Sequence, residues 1–278
     1  MNLSSIIGYA IAIGTIWLCV VIPSPNPSLL LDPAALGLIL GGTCAATFII
    51  FPFSSLKELT KFMVFAVAFK RRTHRPKLVR QIVVAAYFSP AERHLLTMSP
   101  ANHPFLAEGF QLIAENKLSE SQLKEILTRR SQYFRQAYLN DAKMLATIAK
   151  FPSSLGMLGS TVGLIDMMTQ LGRMGQEGIG PAMAMALVST FWGLILTYMV
   201  FMPLSDYAQR LAQEDFSLRQ MIVEGLLLLK RGERQQMLLE HLNGFLALSD
   251  RMVLSQETVT PQFWSEIEDE VSRIRKIA

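Results

Sequence analysis

Two long stretches without charge dominate the hydrophobic pattern of the chain. No Asp, Glu, Lys or Arg occurs between Lys150 and Asp166, and none occurs between Glu177 and Asp206. Because an α-helix rises about 1.5 Å per residue, roughly 20 apolar residues cross the hydrocarbon core of a bilayer, which is about 30 Å thick. The pattern therefore predicts two membrane-spanning helices, joined by the short polar segment 170–180.

One face of each of these helices is built from small and hydroxyl residues at helical spacing, and the opposite face is apolar. Such a pair of faces suits either close helix packing or the wall of a narrow polar pathway. The small faces consist of Pro152, Gly156, Ser160 and Gly163 on the first helix, and of Ala186, Thr190, Gly193 and Thr197 on the second.

Two further apolar runs precede these helices and bring the predicted number of spans to four. The first covers about residues 6–22 and ends at the proline-rich segment 23–27. The second follows Asp32 and Pro33 and reaches Lys57. It contains Gly37 and Gly41 in a GxxxG spacing, which favours helix–helix packing.

Composition and charge placement support a membrane protein. The 278 residues are 51% hydrophobic and 17% charged, with a mean hydropathy of +0.32, which is too apolar for an ordinary soluble domain. Of the 26 basic residues, 16 lie between Ser54 and Lys150 and nine lie after Pro203. This positive-inside distribution explains the basic pI without a nucleic-acid partner.

The charge distribution also predicts the topology, with both termini and the large loop in the cytoplasm. The expected fold is all-α: a four-span integral membrane helix bundle with a helical cytoplasmic domain, formed by the loop between spans 2 and 3 and the C-terminal segment. The corresponding segments are 1–56 for spans 1 and 2, 57–150 for the loop, 151–204 for spans 3 and 4, and 205–278 for the C-terminal helices.

The large loop carries helix-start signals. Ser89, Pro90 and Glu92 form an S-P-x-E capping box, and Ser119 with Gln122 forms an S-x-x-Q box. A helix of roughly 30 residues is expected after Ser119, running straight into the third span. The loop holds 16 basic and 7 acidic residues, which suits lipid headgroup contact or an acidic partner.

No arrangement of residues predicts an enzyme or a resident cofactor. The sequence contains no HExxH, no phosphate-binding GxxxxGK[ST] loop and no GxSxG motif. The two cysteines lie in apolar runs and imply no disulfide. The histidines and cysteines are scattered, at His74, His94, His103, His241, Cys19 and Cys44.

Asp166 is the one ionisable residue within the predicted third span. A carboxylate at the bilayer centre costs about 2.5–3.5 kcal/mol on insertion scales. Asp166 follows Pro152 by 14 residues, which places it near the outer end of the helix and favours a vestibule or capping role over ion carriage. If the chain conducts an ion, a partner must supply the central carboxylate.

Five stretches carry a family resemblance. In chain order they are LGLILGGTCAATFIIFPFSSLK, HPFLAEGFQLIAENKLSESQLKEIL, LGMLGSTVGLIDMM, IGPAMAMALVSTFWGLILTYMVFMPLSD and EGLLLLKRGERQQMLLEHLNGFL. Over about residues 1–251 the chain resembles the bacterial flagellar stator subunits of the MotA/PomA type, within the MotA/TolQ/ExbB proton channel superfamily.

The resemblance implies a homo-oligomer, a pentamer, in the bacterial inner membrane. The ring would surround a MotB/PomB-like partner that brings a single span with an essential Asp and a peptidoglycan-binding domain. Flow of H+ or Na+ past that Asp would drive rotation, and the cytoplasmic loop would act on a FliG-like rotor switch protein. The resemblance leaves the coupling ion open.

The resemblance also assigns roles to individual residues. Thr190, preceded by Ser189, matches the family's pathway threonine, and Ser160 matches a position that is Thr in sodium-type members and usually Ala in proton-type members. Hydroxyls at these positions either line an ion path or only bond to their own helix and ease packing. The full expected pathway and partner-facing set is Ser160, Thr161, Gly163, Ser189, Thr190, Gly193 and Thr197.

Two further roles carry over with departures from the family pattern. The family's gating proline aligns with Ser153, and Pro152 lies one residue early. For rotor contact, Arg80 fits the family's Arg, whereas the expected Glu falls on Phe88 and Glu92 lies nearby. These departures keep two alternatives open: a related ion-driven ring that energises another envelope process, or a passive membrane scaffold.

Overall fold

The computed structural model describes residues 3–21, 32–68, 75–90, 92–97, 101–174, 179–246, 248, 250–251 and 261–277. The described part is helical and connected by short turns, which confirms the predicted all-α class. The proline-rich segment 23–27 lies outside the described residues. The helices are α1 Leu3–Val21, α2 Pro33–Ile50, α3 Phe53–Ala68, α4 Arg75–Ala85, α5 Pro104–Ala114, α6 Glu120–Ile148, α7 Lys150–Met174, α8 Ile179–Ile195, α9 Met202–Arg231, α10 Gln235–Asn243 and α11 Pro261–Ile277.

Two short irregular helices complete this order. A 3₁₀ turn covers Arg93–Thr97, and a π-helical turn over Leu196–Phe201 joins α8 to α9. The contacts of the chain define two compact units. The first unit comprises Met1–Lys70 and Tyr138–Arg210, and the second comprises Arg71–Ala137 and Leu211–Ala278.

The first unit is built on α2, α7 and α8, which pack on one another. On α2 the residues turned inward are Ala35, Ile39 and Thr43, and Asp32 caps the helix by accepting a hydrogen bond from the Ala34 N–H at 2.9 Å. Large apolar side chains point outward in this unit, and Ile49 is 84% exposed. An outward apolar surface of this kind suits lipid or a neighbouring subunit.

Two helices of the described part are long and apolar enough to cross a membrane. They are Pro33–Ile50 and the continuous helical run Met183–Arg231, each with a mean hydropathy of 1.8 in its apolar part. The other two predicted spans coincide with α1, which has 19 residues, and α7, which has 25. The count of four spans stays a prediction.

The second unit has a large hydrophobic core. It is made by α4, α5, α10 and α11 together with the parts of α6 and α9 that belong to this unit. Leu, Ile and Val dominate it, and the fully buried members include Ile82, Leu106, Leu127, Leu226 and Leu242. The core shows that the loop and the C-terminal segment form a folded helical domain.

Both capping boxes predicted in the loop form in the structure, but only one of them starts an α-helix. At Ser119 the box forms as expected: its N–H donates to Gln122 Oε1 at 2.9 Å, and α6 starts at Glu120. At Ser89 the N–H and the hydroxyl both donate to Glu92 Oε2 at 3.0 Å, but only a five-residue 3₁₀ turn follows. The Ser89 capping box therefore precedes a short 3₁₀ turn instead of an α-helix.

The helix expected to run from Ser119 straight into the third span is interrupted. It ends at Ile148 after 29 residues, and α7 starts at Lys150. The expectation of a continuous helix was therefore wrong at one position, Ala149. Pro152 contributes to the break, because a proline has no N–H to offer the carbonyl four residues earlier.

Candidate functional site

The small faces predicted on the third and fourth spans pack against each other between α7 and α8. Pro152, Gly156, Ala186 and Gly193 are buried there. A Cβ atom added at Gly193 would lie 2.6 Å from the carbonyl oxygen of Pro152 and 3.0 Å from the Cα of Gly156. The two helices are thus in backbone contact, the close approach that small residues allow in membrane helix pairs.

Ser160 and Thr190 meet at this interface. Their hydroxyls hydrogen-bond to each other, and Ser160 Oγ lies 3.0 Å from each of the carbonyl oxygens of Gly156 and Ala186, either of which can accept its single hydrogen. Both side chains are half-buried. The structure therefore brings together the two hydroxyls predicted as the centre of the pathway, in a small cluster of hydroxyl and carbonyl oxygens.

Ser189 lies one residue before this pair and is fully buried. Its hydroxyl is 3.3 Å from the carbonyl oxygen of Gly156 and 3.0 Å from that of Ala186. Gly159 on α7 lies opposite Ser189, and a Cβ atom added at Gly159 would lie 2.7 Å from the Ser189 Cβ. The close approach therefore requires glycine at position 159. The Ser189 hydroxyl thus bonds across the interface and faces away from solvent.

Thr197 lies at the start of the π-helical turn and is 4% exposed. Its hydroxyl donates to the carbonyl oxygen of Ala149 at 2.9 Å and accepts the N–H of Ser153 at 3.1 Å. Of the two candidate gating residues, Ser153 therefore bonds directly to Thr197, and Pro152 precedes it in the chain.

The remaining candidates on α7 are not part of this cluster. Gly163 is buried further along the helix. Thr161 is exposed and its hydroxyl donates to the Leu158 carbonyl oxygen at 2.7 Å, within its own helix. Asp166 is exposed, eight residues before the end of α7 at Met174.

Outside this interface, sequence reasoning missed a hydroxyl that joins α9 to α6, that of Ser205. Its hydroxyl donates to the carbonyl oxygen of Ala142 at 3.1 Å and is buried. Together with the bonds from Ser189 to Gly156 and from Thr197 to Ala149, it forms a ladder of three hydroxyl-to-carbonyl bonds along the antiparallel helices. The regular eight-residue spacing of Ser189, Thr197 and Ser205 is the signal that would have found it.

The cluster offers neutral oxygens and lacks a fixed charge. Hydroxyl and carbonyl oxygens can replace the hydration waters of a small cation, but they do not bind a proton at neutral pH. Within the part of the chain that the structure describes, no group of three or more His, Cys, Asp or Glu could hold a metal ion. The cluster itself therefore consists of neutral oxygen donors and acceptors.

The region that holds the hydroxyl cluster is similar to a known protein family. The model of the MotA/TolQ/ExbB proton channel family matches residues 98–221, which include α7 and α8. The chain is 23% identical over 259 residues to Motility protein A of Borreliella burgdorferi, covering 92% of this chain and 98% of the relative. The chain is thus similar to members of the MotA/TolQ/ExbB proton channel family. This similarity and the apolar helices of the first unit indicate a membrane protein.

Further similarities extend over most of the chain. Motility protein A of Bacillus subtilis is 23% identical over 262 residues, covering 92% of this chain and 95% of the relative. A solved structure described as the flagellar MotAB stator complex from Bacillus subtilis superposes with a TM-score of 0.80 at 20% identity, over 91% of this chain and 98% of the other. This superposition confirms the fold.

In the second unit, both candidate rotor-contact residues bond to α11. Arg80 forms an ion pair with Glu266 at 3.2 Å, and Glu92 forms one with Arg275 at 3.1 Å. Hydrogen bonds from the Ser89 backbone, the Ser89 hydroxyl and Arg275 hold the pKa of the Glu92 carboxyl below its usual value. Sequence patterns gave no sign that α11 reaches these two residues.

The second unit contains a buried arginine, Arg219, that contacts an acidic residue and two aromatic rings. Arg219 is 7% exposed, bonds to Asp215 at 2.6 Å, and lies over the rings of Phe134 and Phe105 at 4.0 and 5.0 Å. Nearby, His103 caps α5 by accepting the N–H of Phe105. Burial and the Arg219 charge lower the pKa of His103, so the ring is neutral, as this cap requires.

One carboxyl of the first unit has an altered pKa. Asp141 on α6 is half-buried, and burial together with the nearby Glu58 carboxylate raises its pKa. Asp141 lies beside Ala142, in the small cluster that α3, α6 and α9 form with Leu59 and Ala208. The Asp141 carboxyl, next to the Glu58 carboxylate, therefore binds a proton more readily than an ordinary surface acid.

Proposed function

We propose that this chain is an ion-conducting stator subunit of the bacterial flagellar motor. With a MotB-like partner it couples the flow of H+ or Na+ across the membrane to torque on the rotor. The observation that carries the proposal is the likeness to curated Motility protein A sequences over 92% of this chain, with the hydroxyl cluster of α7 and α8 inside the matched region.

In this function the hydroxyl cluster lines the path beside the partner's span. Ser160 Oγ and Thr190 Oγ1 present neutral oxygens at the α7–α8 interface, where they bond to each other and to backbone carbonyl oxygens. The partner's Asp would carry the proton or the ion, and the two hydroxyls would replace waters of hydration as it passes. The chain itself acts as a channel and motor component and not as an enzyme.

The proposal places the protein in the bacterial inner membrane as a homo-oligomer. Outward apolar side chains on α7, among them Met157, Ile165 and Met168, support burial in lipid or against neighbouring copies. The family resemblance suggests five copies around two partner chains. Both termini and the large loop would face the cytoplasm, in accord with the 25 basic residues that lie in the loop and after Pro203.

The second unit would then meet the rotor switch protein in the cytoplasm. It has its own close-packed hydrophobic core, and close-packed interiors have low compressibility and transmit strain. Such a unit can transmit force between the membrane helices and the rotor. Arg80 and Glu92 lie at its surface beside α11 and are the residues we assign to this contact. Their ion pairs with α11 are partly exposed. Exposed ion pairs contribute little free energy, so these residues can exchange them for pairs with another chain.

Deletion and complementation test this function. A strain that lacks this chain is expected to build filaments but not to swim, and the wild-type chain together with its MotB-like partner is expected to restore swimming. Swimming speed and filament staining are the measurements. Normal swimming of the deletion strain would contradict the proposal. Normal swimming together with an envelope defect would favour the alternative function, a related ion-driven ring that energises another envelope process.

A further inference from the structure

The junction between α6 and α7 is irregular for a local reason. Residue 152 is proline, so the carbonyl of Ile148 finds no N–H four residues further on. The helix breaks at Ala149 and α7 begins at Lys150. Such a break in a helix is a natural place for bending.

The Thr197 hydroxyl lies between the two backbone groups that would close the break. It donates to the Ala149 carbonyl oxygen at 2.9 Å and accepts the Ser153 N–H at 3.1 Å. A regular α-helix joins these two groups directly, because the N–H of residue i bonds to the carbonyl of residue i−4. A side chain inserted into that bonding pattern bends the helix at that point.

The partner segment is irregular at the same level. Thr197 belongs to the π-helical turn Leu196–Phe201, in which the Met202 N–H bonds to the Thr197 carbonyl oxygen. Pro203 follows directly, and a proline clashes with the carbonyl four residues before it. Single π turns inside helices occur frequently at functional sites. Thr197 thus links two irregular turns on antiparallel helices.

We propose that Thr197 is a positioning residue whose hydroxyl acts as a joint between the α6–α7 break and α8. With the hydroxyl inserted, the junction is bent; with the hydroxyl withdrawn, the Ser153 N–H and the Ala149 carbonyl bond to each other. Both states satisfy the Ser153 N–H and the Ala149 carbonyl, so the change between them leaves neither group unpaired. Since α7 carries Ser160 and α8 carries Thr190, the joint sets the geometry of the hydroxyl pair.

A distance measurement tests the joint itself. In the complete chain with Cys19→Ser and Cys44→Ser, spin labels are placed by Lys143→Cys and Met157→Cys, both exposed and on opposite sides of the break. Labelled chains are diluted with unlabelled ones to isolate the distance within a chain. Along a continuous helix the two positions are about 21 Å apart at 1.5 Å per residue.

Thr197→Val keeps the shape of the side chain and removes the hydroxyl. We expect it to move the label distance towards that of a continuous helix, and Thr197→Ala to do the same, whereas Thr197→Ser keeps the wild-type distance. Ser205→Ala is the matched control: it removes another hydroxyl of the ladder, but its acceptor Ala142 lies inside α6, away from the break. An unchanged distance in both hydroxyl-free variants would overturn the joint.

Ion flux tests the positioning role, which rests on the proposed function. With the MotB-like partner present, Thr197→Val is expected to lower flux about tenfold or more while thermal stability and partner binding stay near wild type. Thr197→Ser and Ser205→Ala are expected to keep flux. Equal flux in Thr197→Val and wild type, or parallel loss of flux and stability, would overturn the role. Absence of flux in the wild-type complex would instead refute the proposed function, and the distance measurement would still decide the joint.

Discussion

Replacing Gly193 with alanine is expected to prevent assembly of the membrane unit. The new Cβ would lie 2.6 Å from the Pro152 carbonyl oxygen and 3.0 Å from the Gly156 Cα, and both neighbours are backbone atoms that no rotamer change can move. The helices must separate, which costs roughly 1–3 kcal/mol or more and pulls Ser160 away from Thr190. We expect almost no complex to be recovered with the partner, and no swimming.

Gly180→Ala is the control for this experiment. Gly180 lies on the same helix, and nothing approaches within 4 Å of a Cβ added there. The same chemical change at that position is expected to leave the yield of complex and the swimming speed at wild-type values. If Gly193→Ala also assembled and swam normally, the backbone contact between α7 and α8 would not be essential.

Replacing Arg219 with leucine is expected to have the largest effect on the stability of the second unit. Arg219 and Asp215 are 8% and 20% exposed as side chains, and the guanidinium also lies over two aromatic rings. Removing one partner of a buried ion pair costs about 3–5 kcal/mol because the other charge stays buried without compensation. We expect a lower unfolding temperature of the purified complex and less chain in the membrane.

Arg129→Leu is the matched comparison. Arg129 pairs with Glu125 four residues earlier on α6, the same spacing as Arg219 and Asp215, but these side chains are 80% and 68% exposed. Exposed pairs of this kind contribute about 0.5 kcal/mol or less. Similar shifts of the unfolding temperature for both variants would show that burial of Arg219 does not matter.

The helical framework and the small faces were accessible from sequence because both are local properties. Helical spacing identified the faces that meet at Gly156 and Gly193, and the S-x-x-Q box gave the start of α6 at Glu120. Both signals act over one or two turns of helix, where chain geometry fixes which side chains are neighbours.

The break at Ala149 and the role of Thr197 were not accessible in this way. Pro152 was noted as a gating candidate, but the hydroxyl that enters the break belongs to Thr197, 48 positions after Ala149. Likewise, the pairing of Arg80 with Glu266 joins residues 186 positions apart. Periodicity within one helix carries no information about such contacts, because they depend on how helices are arranged in space.

Ion flux in vesicles tests the central claim most directly. The chain and its MotB-like partner are reconstituted together, and proton and sodium uptake are followed at fixed pH, with each chain alone for comparison. We expect uptake of one ion only when both chains are present. This uptake should be abolished when the partner's membrane Asp is replaced by Asn, and strongly reduced by Thr190→Val. Equal uptake by this chain alone, or full uptake with Thr190→Val, would contradict a path completed by the partner's carboxylate and lined by the Ser160–Thr190 pair.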